Sequence, residues 1–222
     1  MLTVACLYRS GKEYALADVL RLKRMVNGHL PEHRFVCISD KVFEAPGIDR
    51  IPLERDLPYW WGKLQLFTLP GPVLCLDLDT VVVGDLAPLA EAVESLGQRV
   101  MMLRDFYRAE RPASGIMAWS GDVRWIWEEF VDRLDRGHHF EPFCDIIRLR
   151  LEGRLYRGDQ DLLAELLVDR AITFAQDIVP GIYSYKVHVR GHELPADARI
   201  VCFHGKPRPK EVTERWILEA VA

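Results

Sequence analysis

The sequence predicts an α/β domain: a mixed, mostly parallel sheet flanked by helices. Three observations predict it. Short β-branched and aromatic runs recur along the 222 residues, amphipathic stretches alternate with them most regularly in the first half, and no repeat, low-complexity segment or long linker divides the chain.

Residues 2–8 form an apolar run that reads as a strand, residues 14–29 carry apolar positions at helical spacing, and residues 33–39 read as the next strand. This is the grammar of a βαβ unit. Further strands are expected at 73–76, 81–83, 100–103, 115–119 and 200–203, and helices at 61–67, 123–134, 160–168 and 212–221. Residues 174–194 look irregular and suited to shaping a substrate site. One domain over 1–222 is expected, with residues 1–105 and 106–222 as its two halves.

Composition narrows the function. A chain of this length buries roughly 70% of its unfolded surface, enough for an enzyme core. A net charge of −4 argues against a broad nucleic-acid footprint, which needs clustered cations. Five cysteines without a CxxC pair read as free thiols, four of them in apolar strand runs. No stretch resembles a secretory leader or a membrane span, so a cytoplasmic, reduced protein is expected.

The strongest chemical signal is Val73-Leu74-Cys75-Leu76-Asp77-Leu78-Asp79-Thr80, an apolar strand ending in two carboxylates one residue apart. Strand alternation would point both acids one way, toward a shared divalent cation or toward a cation and a ribose. The bland reading is a solvated strand end. A second apolar run ends in Phe203-His204-Gly205-Lys206-Pro207, which offers a nitrogen ligand, a glycine permitting close approach and a cation for phosphate. Tyr59-Trp60-Trp61-Gly62-Lys63 precedes the acidic strand and hints at a lined pocket around Lys63. Gly158-Asp159-Gln160-Asp161 opens a helix, where Asp159 is well suited to capping the amide donors. The loop after the first strand opens toward the ligand crevice of such sheets, where Tyr8 would either stack on a base or belong to the core.

Taken in this order, the segments resemble glycosyltransferases of the GT-A fold, most closely the glycogenin and lipopolysaccharide galactosyltransferase-like group (glycosyltransferase family 8-like). Leu76-Asp77-Leu78-Asp79 resembles that group's DxD motif, and His204-Gly205-Lys206-Pro207 its C-terminal motif, although shorter than HxxGxxKPW. Ser114-Gly115-Ile116-Met117 resembles the strand beside the donor sugar, with Ala113 where an Asn is common, and Asp159-Gln160 the acidic pair near the anomeric carbon. The resemblance implies a nucleotide-sugar donor, most simply a UDP-sugar, and a hexose moved to a carbohydrate, lipid-linked or other acceptor with retention of configuration. It implies Mn2+ or Mg2+ held by Asp77, Asp79 and His204. Tyr8, Lys63, Asp77, Ser114, Gly205 and Lys206 would contact the donor, with Asp159 and Gln160 at the reacting carbon. Two other classes stay open: a haloacid-dehalogenase-like phosphatase, since Asp77-Leu78-Asp79-Thr80 also fits DxDxT, and a nucleotide-sugar binding module without catalysis.

Overall fold

The structure is a computed structural model and describes residues 1–11, 13–144, 146–170 and 172–221. In chain order the strands are β1 Leu2–Tyr8, β2 His33–Ser39, β3 Asp49–Pro52, β4 Val73–Leu76, β5 Thr80–Val82, β6 Val100–Arg104, β7 Pro112–Trp119, β8 His138–Phe143, β9 Ile146–Leu151, β10 Arg154–Tyr156, β11 Ile172–Phe174, β12 Ile182–Ser184 and β13 Ile200–Cys202. The helices are α1 Leu16–His29, α2 Ala87–Glu94, α3 Trp125–Arg136, α4 Asp159–Leu166, α5 Ala175–Ile178 and α6 Arg215–Val221.

Seven strands form the central sheet in the order β11-β6-β7-β4-β1-β2-β3. The pairs β1/β2, β1/β4, β2/β3 and β11/β6 are parallel, while β7 runs antiparallel to both β4 and β6. The expected mixed, mostly parallel sheet is therefore the one observed. Strands from both halves of the chain share it, since β7 lies directly beside β4.

Side-chain alternation splits the core into two layers. Val4 and Cys6 of β1, Leu74 and Leu76 of β4 and Ile116 and Ala118 of β7 pack on the face covered by α1, with its buried Val19, Leu22, Met25 and Val26. Ala5, Val73, Cys75, Met117 and Trp119 point to the other face, against Phe67, Ile126 and Phe130. Two three-stranded sheets flank this body: β12-β13-β5 sets the last strand beside β5, which directly follows the two acids, and β10-β9-β8 is built of antiparallel pairs.

Several elements differ from the sequence expectation for identifiable reasons. The first helix starts at Leu16, two residues late, because the Asp18 carboxylate accepts the Ala15 amide at 2.9 Å and fixes the entry there. Residues 59–68 form a 3-10 helix instead of an α-helix. Trp61 to Phe67 are all buried, so no amphipathic face exists, and Gln65 ties the segment to Pro52 O at 2.9 Å and to the Glu54 amide at 2.8 Å. The third helix runs Trp125–Arg136 where 123–134 was expected, and the fourth runs Asp159–Leu166. The last begins at Arg215 because Pro209 opens a separate 3-10 turn through Glu211. The expected irregular stretch contains α5, β12 and a π-turn at Tyr185–Val189. Strand β8 is mostly exposed and carries His138, His139 and Glu141, and in β9 Arg148 and Arg150 break up the apolar residues, so neither reads as a continuous apolar run. Four of the five cysteines are buried thiols and Cys144 is exposed. Among the described residues no helix is long and apolar enough to cross a membrane.

Candidate active site

The floor of the site is made where β4 stops. The Asp77 amide donates to Gly115 O at 3.1 Å, and the Thr80 amide donates to Asp77 O at 3.0 Å, closing a turn. Asp77 and Asp79 therefore ride on a turn, and it is this turn, not strand alternation, that brings both to one cleft.

Lys63 reaches this floor from the buried 3-10 helix. Its Nζ lies 2.7 Å from Asp77 Oδ1, 3.6 Å from Asp159 Oδ2 and 3.2 Å from Ser114 Oγ. Burial alone would lower the Lys63 ammonium, but Asp159 and Asp77 outweigh it and hold Lys63 charged well above the ordinary lysine value. Asp77 is raised to about 6, first by removal from water and then by Asp79 and Asp159, with Lys63 pulling the other way. Asp159 is the first residue of α4, whose N-cap is Gly158, and its carboxylate makes no capping bond. It turns to Lys63 instead, which replaces the capping role expected for it. Its Oδ2 is buried without a hydrogen-bond partner among the described residues.

The segment after β13 crosses the second acid. The Phe203 amide donates to Asp79 O and the Gly205 amide to Asp79 Oδ2, both at 3.3 Å. His204 sits at φ +34° and Gly205 at φ +100°, a left-handed step that glycine makes without steric cost. The His204 ring stacks on Phe106 with centroids 5.6 Å apart, and its Nε2 shares a 2.6 Å hydrogen bond with Ser184 Oγ. Burial, then the Lys186 ammonium, holds its pKa below the ordinary histidine value. Lys206 is exposed. The cation that reaches Asp79 is Arg208, which donates to Asp79 Oδ2 and to the Tyr14 hydroxyl and lies 3.3 Å from Glu13 Oε2. Sequence reading missed Arg208; the signal available was a second cation, set between Pro207 and Pro209 two places beyond Lys206.

A cavity of about 210 Å³ joins these groups: Asp77, Asp79, Ser114, Gln160 and His204 line it, with Tyr107 on its wall. Phe106 and Tyr107, also missed, follow the carboxyl end of β6, the position where loops of such sheets meet ligands. Tyr8 is packed near Phe43, centroids 6.2 Å apart, and is only 9% exposed, so the core reading describes it in this structure.

The donor set bears on a metal. The trio Asp77, Asp79 and His204 is not assembled as ligands: the His204 Nε2 is engaged by Ser184, and among the described residues no three His, Cys, Asp or Glu groups converge to hold an ion. The two acids alone do fit one. Lys63 takes Asp77 Oδ1, and Arg208 and Gly205 take Asp79 Oδ2, leaving the other oxygen of each carboxylate. Three acids (Asp77, Asp79, Asp159) face two cations (Lys63, Arg208), a local excess of negative charge. Mg2+-type sites commonly use one or two carboxylates completed by water and substrate phosphates.

No family model matches this sequence, and no curated protein sequence matches it. Solved structures do. The glycosyltransferase GlyE of Streptococcus pneumoniae TIGR4 superposes with a TM-score of 0.69 at 16% identity, over 100% of this chain and 61% of GlyE, so the chain spans about three-fifths of that protein's length. The galactosyltransferase LgtC, solved with donor and acceptor sugar analogs, gives 0.63 at 14% identity over 99% of this chain and 95% of LgtC. An active-site mutant of LgtC gives 0.63 at 13% identity, covering 98% and 94%. The phosphatase alternative would have the acids open the fold, whereas here they end the fourth strand. The likeness is one of fold, and the fold of this chain is that of the GT-A glycosyltransferases its ordered motifs resemble.

Proposed function

We propose that this chain is a hexosyltransferase that takes a sugar from a nucleoside diphosphate donor, UDP in the first instance, and passes it to a carbohydrate or lipid-linked acceptor. The observation that carries the reading is the Lys63-centred cluster: one buried cation tying Asp77 to Asp159 at the floor of a cleft on a glycosyltransferase fold.

Departure of the diphosphate leaves positive charge on the anomeric carbon while negative charge grows on the leaving oxygen. Asp159 and Gln160 open α4 beside the cleft and are the side chains assigned to the sugar. Asp159, 3.6 Å from the Lys63 ammonium, can stabilise the developing positive charge, in keeping with a retaining outcome. Ser114 and Gly115 form the wall beside Asp77, where the absence of a side chain on Gly115 leaves room for a sugar ring. Asp77 and Asp79 would hold Mn2+ or Mg2+, which when bound supplies Lewis-acid neutralisation of the diphosphate. Residues 1–105 take the nucleotide side in this reading and 106–222 the acceptor side, and four buried free thiols suit a reducing, cytoplasmic setting. His204 already lines the cleft, whereas Lys206 is exposed and approaches the donor only if its segment moves.

The test is turnover of a UDP-sugar panel with Mn2+ or with EDTA. Slow UDP release, abolished by EDTA and by Asp79→Ala, is expected. Phosphate release from a simple monoester without nucleotide-sugar turnover would instead restore the phosphatase, and UDP binding with no turnover under any condition would leave a binding module.

A further inference from the structure

Arg208 is the feature of this site that the motif reading does not absorb. It comes from the segment after β13 and meets Asp79 across 129 positions of sequence, with side-chain exposures of 12% and 8% for the pair. Its guanidinium lies 4.7 Å from the centre of the Tyr14 ring, and Glu13 adds a second carboxylate 3.3 Å away. Lys210 reinforces the attachment, donating to Glu13 O at 3.1 Å and lying 3.6 Å from Asp18 Oδ2. The C-terminal segment is thus tied across the DxD turn to the loop that precedes α1.

A divalent ion would take the remaining oxygen of Asp79 while Arg208 already sits on Oδ2. A divalent ion on this carboxylate would stand beside a guanidinium in a poorly hydrated site, where like charges repel strongly. One of them must yield. The arginine has a path, because Gly205, three residues before it, is the conformationally permissive point of the segment. It also gains a destination when the donor arrives: the diphosphate, whose oxygens match the planar fork of a guanidinium.

We propose that Arg208 couples cation and nucleotide binding, acting as the resident counter-ion of Asp79 when the cleft is empty and turning to the diphosphate when the donor enters, so that Asp79 is released to the metal. The inference rests on the functional reading above. It makes nucleotide and cation affinities depend on each other, by the same factor in either order.

The experiment is a four-way titration of the wild-type chain and Arg208→Gln: Mn2+ alone, UDP alone, and each in the presence of the other, followed by calorimetry and, for Mn2+, by loss of its free-ion EPR signal. In the wild type, Mn2+ alone binds weakly and UDP strengthens it. In Arg208→Gln, Mn2+ alone binds roughly tenfold more tightly, UDP with Mn2+ binds roughly tenfold more weakly, and the coupling shrinks accordingly. Arg208→Lys keeps the charge and loses the fork, so its Mn2+ affinity stays near wild type while its UDP affinity falls; it carries the test if the Gln variant does not fold. A folded Arg208→Gln with both affinities unchanged, or with both weakened alike, makes Arg208 a structural clamp and overturns the proposal alone, as does Arg208→Lys with unchanged UDP affinity. A wild-type chain that binds neither Mn2+ nor UDP overturns the functional reading, and the proposal with it.

Discussion

Replacing Lys63 by Met keeps the aliphatic stem and removes the charge that holds Asp77 and Asp159. At an effective dielectric near 20, one unit charge 2.7 Å away is worth roughly 6 kcal/mol and one 3.6 Å away roughly 5 kcal/mol. Neither is the net loss, because a stranded carboxylate escapes by taking a proton. For an acid with an ordinary pKa that escape costs about 4 kcal/mol at pH 7. Part of it is already present in the wild type, where Asp77 is raised to about 6. The expected destabilisation is therefore about 3–5 kcal/mol at neutral pH, the range for breaking a buried pair. The sign of its pH dependence follows from linkage. In the variant Asp77 loses the cation that pulls it down and its folded pKa stands further above the unfolded one, so the native state binds more protons and the penalty is full above that folded value. It fades as pH falls toward the unfolded carboxylate range. Equilibrium urea unfolding followed by tryptophan fluorescence at pH 7 and pH 4.5 measures this, and the deficit should shrink to roughly 1–2 kcal/mol at the lower pH. A deficit below about 1 kcal/mol at pH 7, or one identical at the two pH values, would refute the ion-cluster account and reduce Lys63 to its packing.

Two further predictions rest on other parts of the molecule. Burial by itself would raise the Asp40 carboxyl, but the hydroxyl and amide of Ser10, and then Arg9, more than offset it and hold Asp40 below its ordinary value. Its stabilisation is present above the unfolded carboxylate pKa and lost as pH falls through the lower folded one. Ser10→Ala should accordingly cost about 1 kcal/mol at pH 7, with the gap to wild type closing near pH 3; equal gaps in urea melts at both pH values would contradict this. Trp119 is fully buried, lies 4.6 Å centroid to centroid from Phe67 and donates to Leu69 O at 3.1 Å. Trp119→Ala should destabilise by roughly 3–5 kcal/mol and Trp119→Phe by less; similar urea midpoints for the two variants would mean the ring's packing is not what the site depends on.

The sequence by itself determined the layer architecture and the floor of the cleft. The alternation of Val4, Cys6, Leu74 and Leu76 with Ala5, Val73 and Cys75 is written in strand order, and each such run is a local pattern with a local cause, burial on two faces. The abrupt change from Leu76 to Asp77 marked where the sheet ends and chemistry can begin. What lay beyond local pattern was decided by the tertiary structure. Asp159 looks like a helix cap until Lys63, almost a hundred residues earlier, is brought to 3.6 Å from it. Asp79 looks like a metal ligand shared with His204 until the segment after β13 folds back and sets Arg208 on the carboxylate and the His204 ring against Ser184 and Phe106. The physical reason is the same in each case: periodicity reports how one residue relates to its neighbours in sequence, whereas the charge state and partner of a buried ionisable group depend on which distant segment arrives to replace the water it has lost.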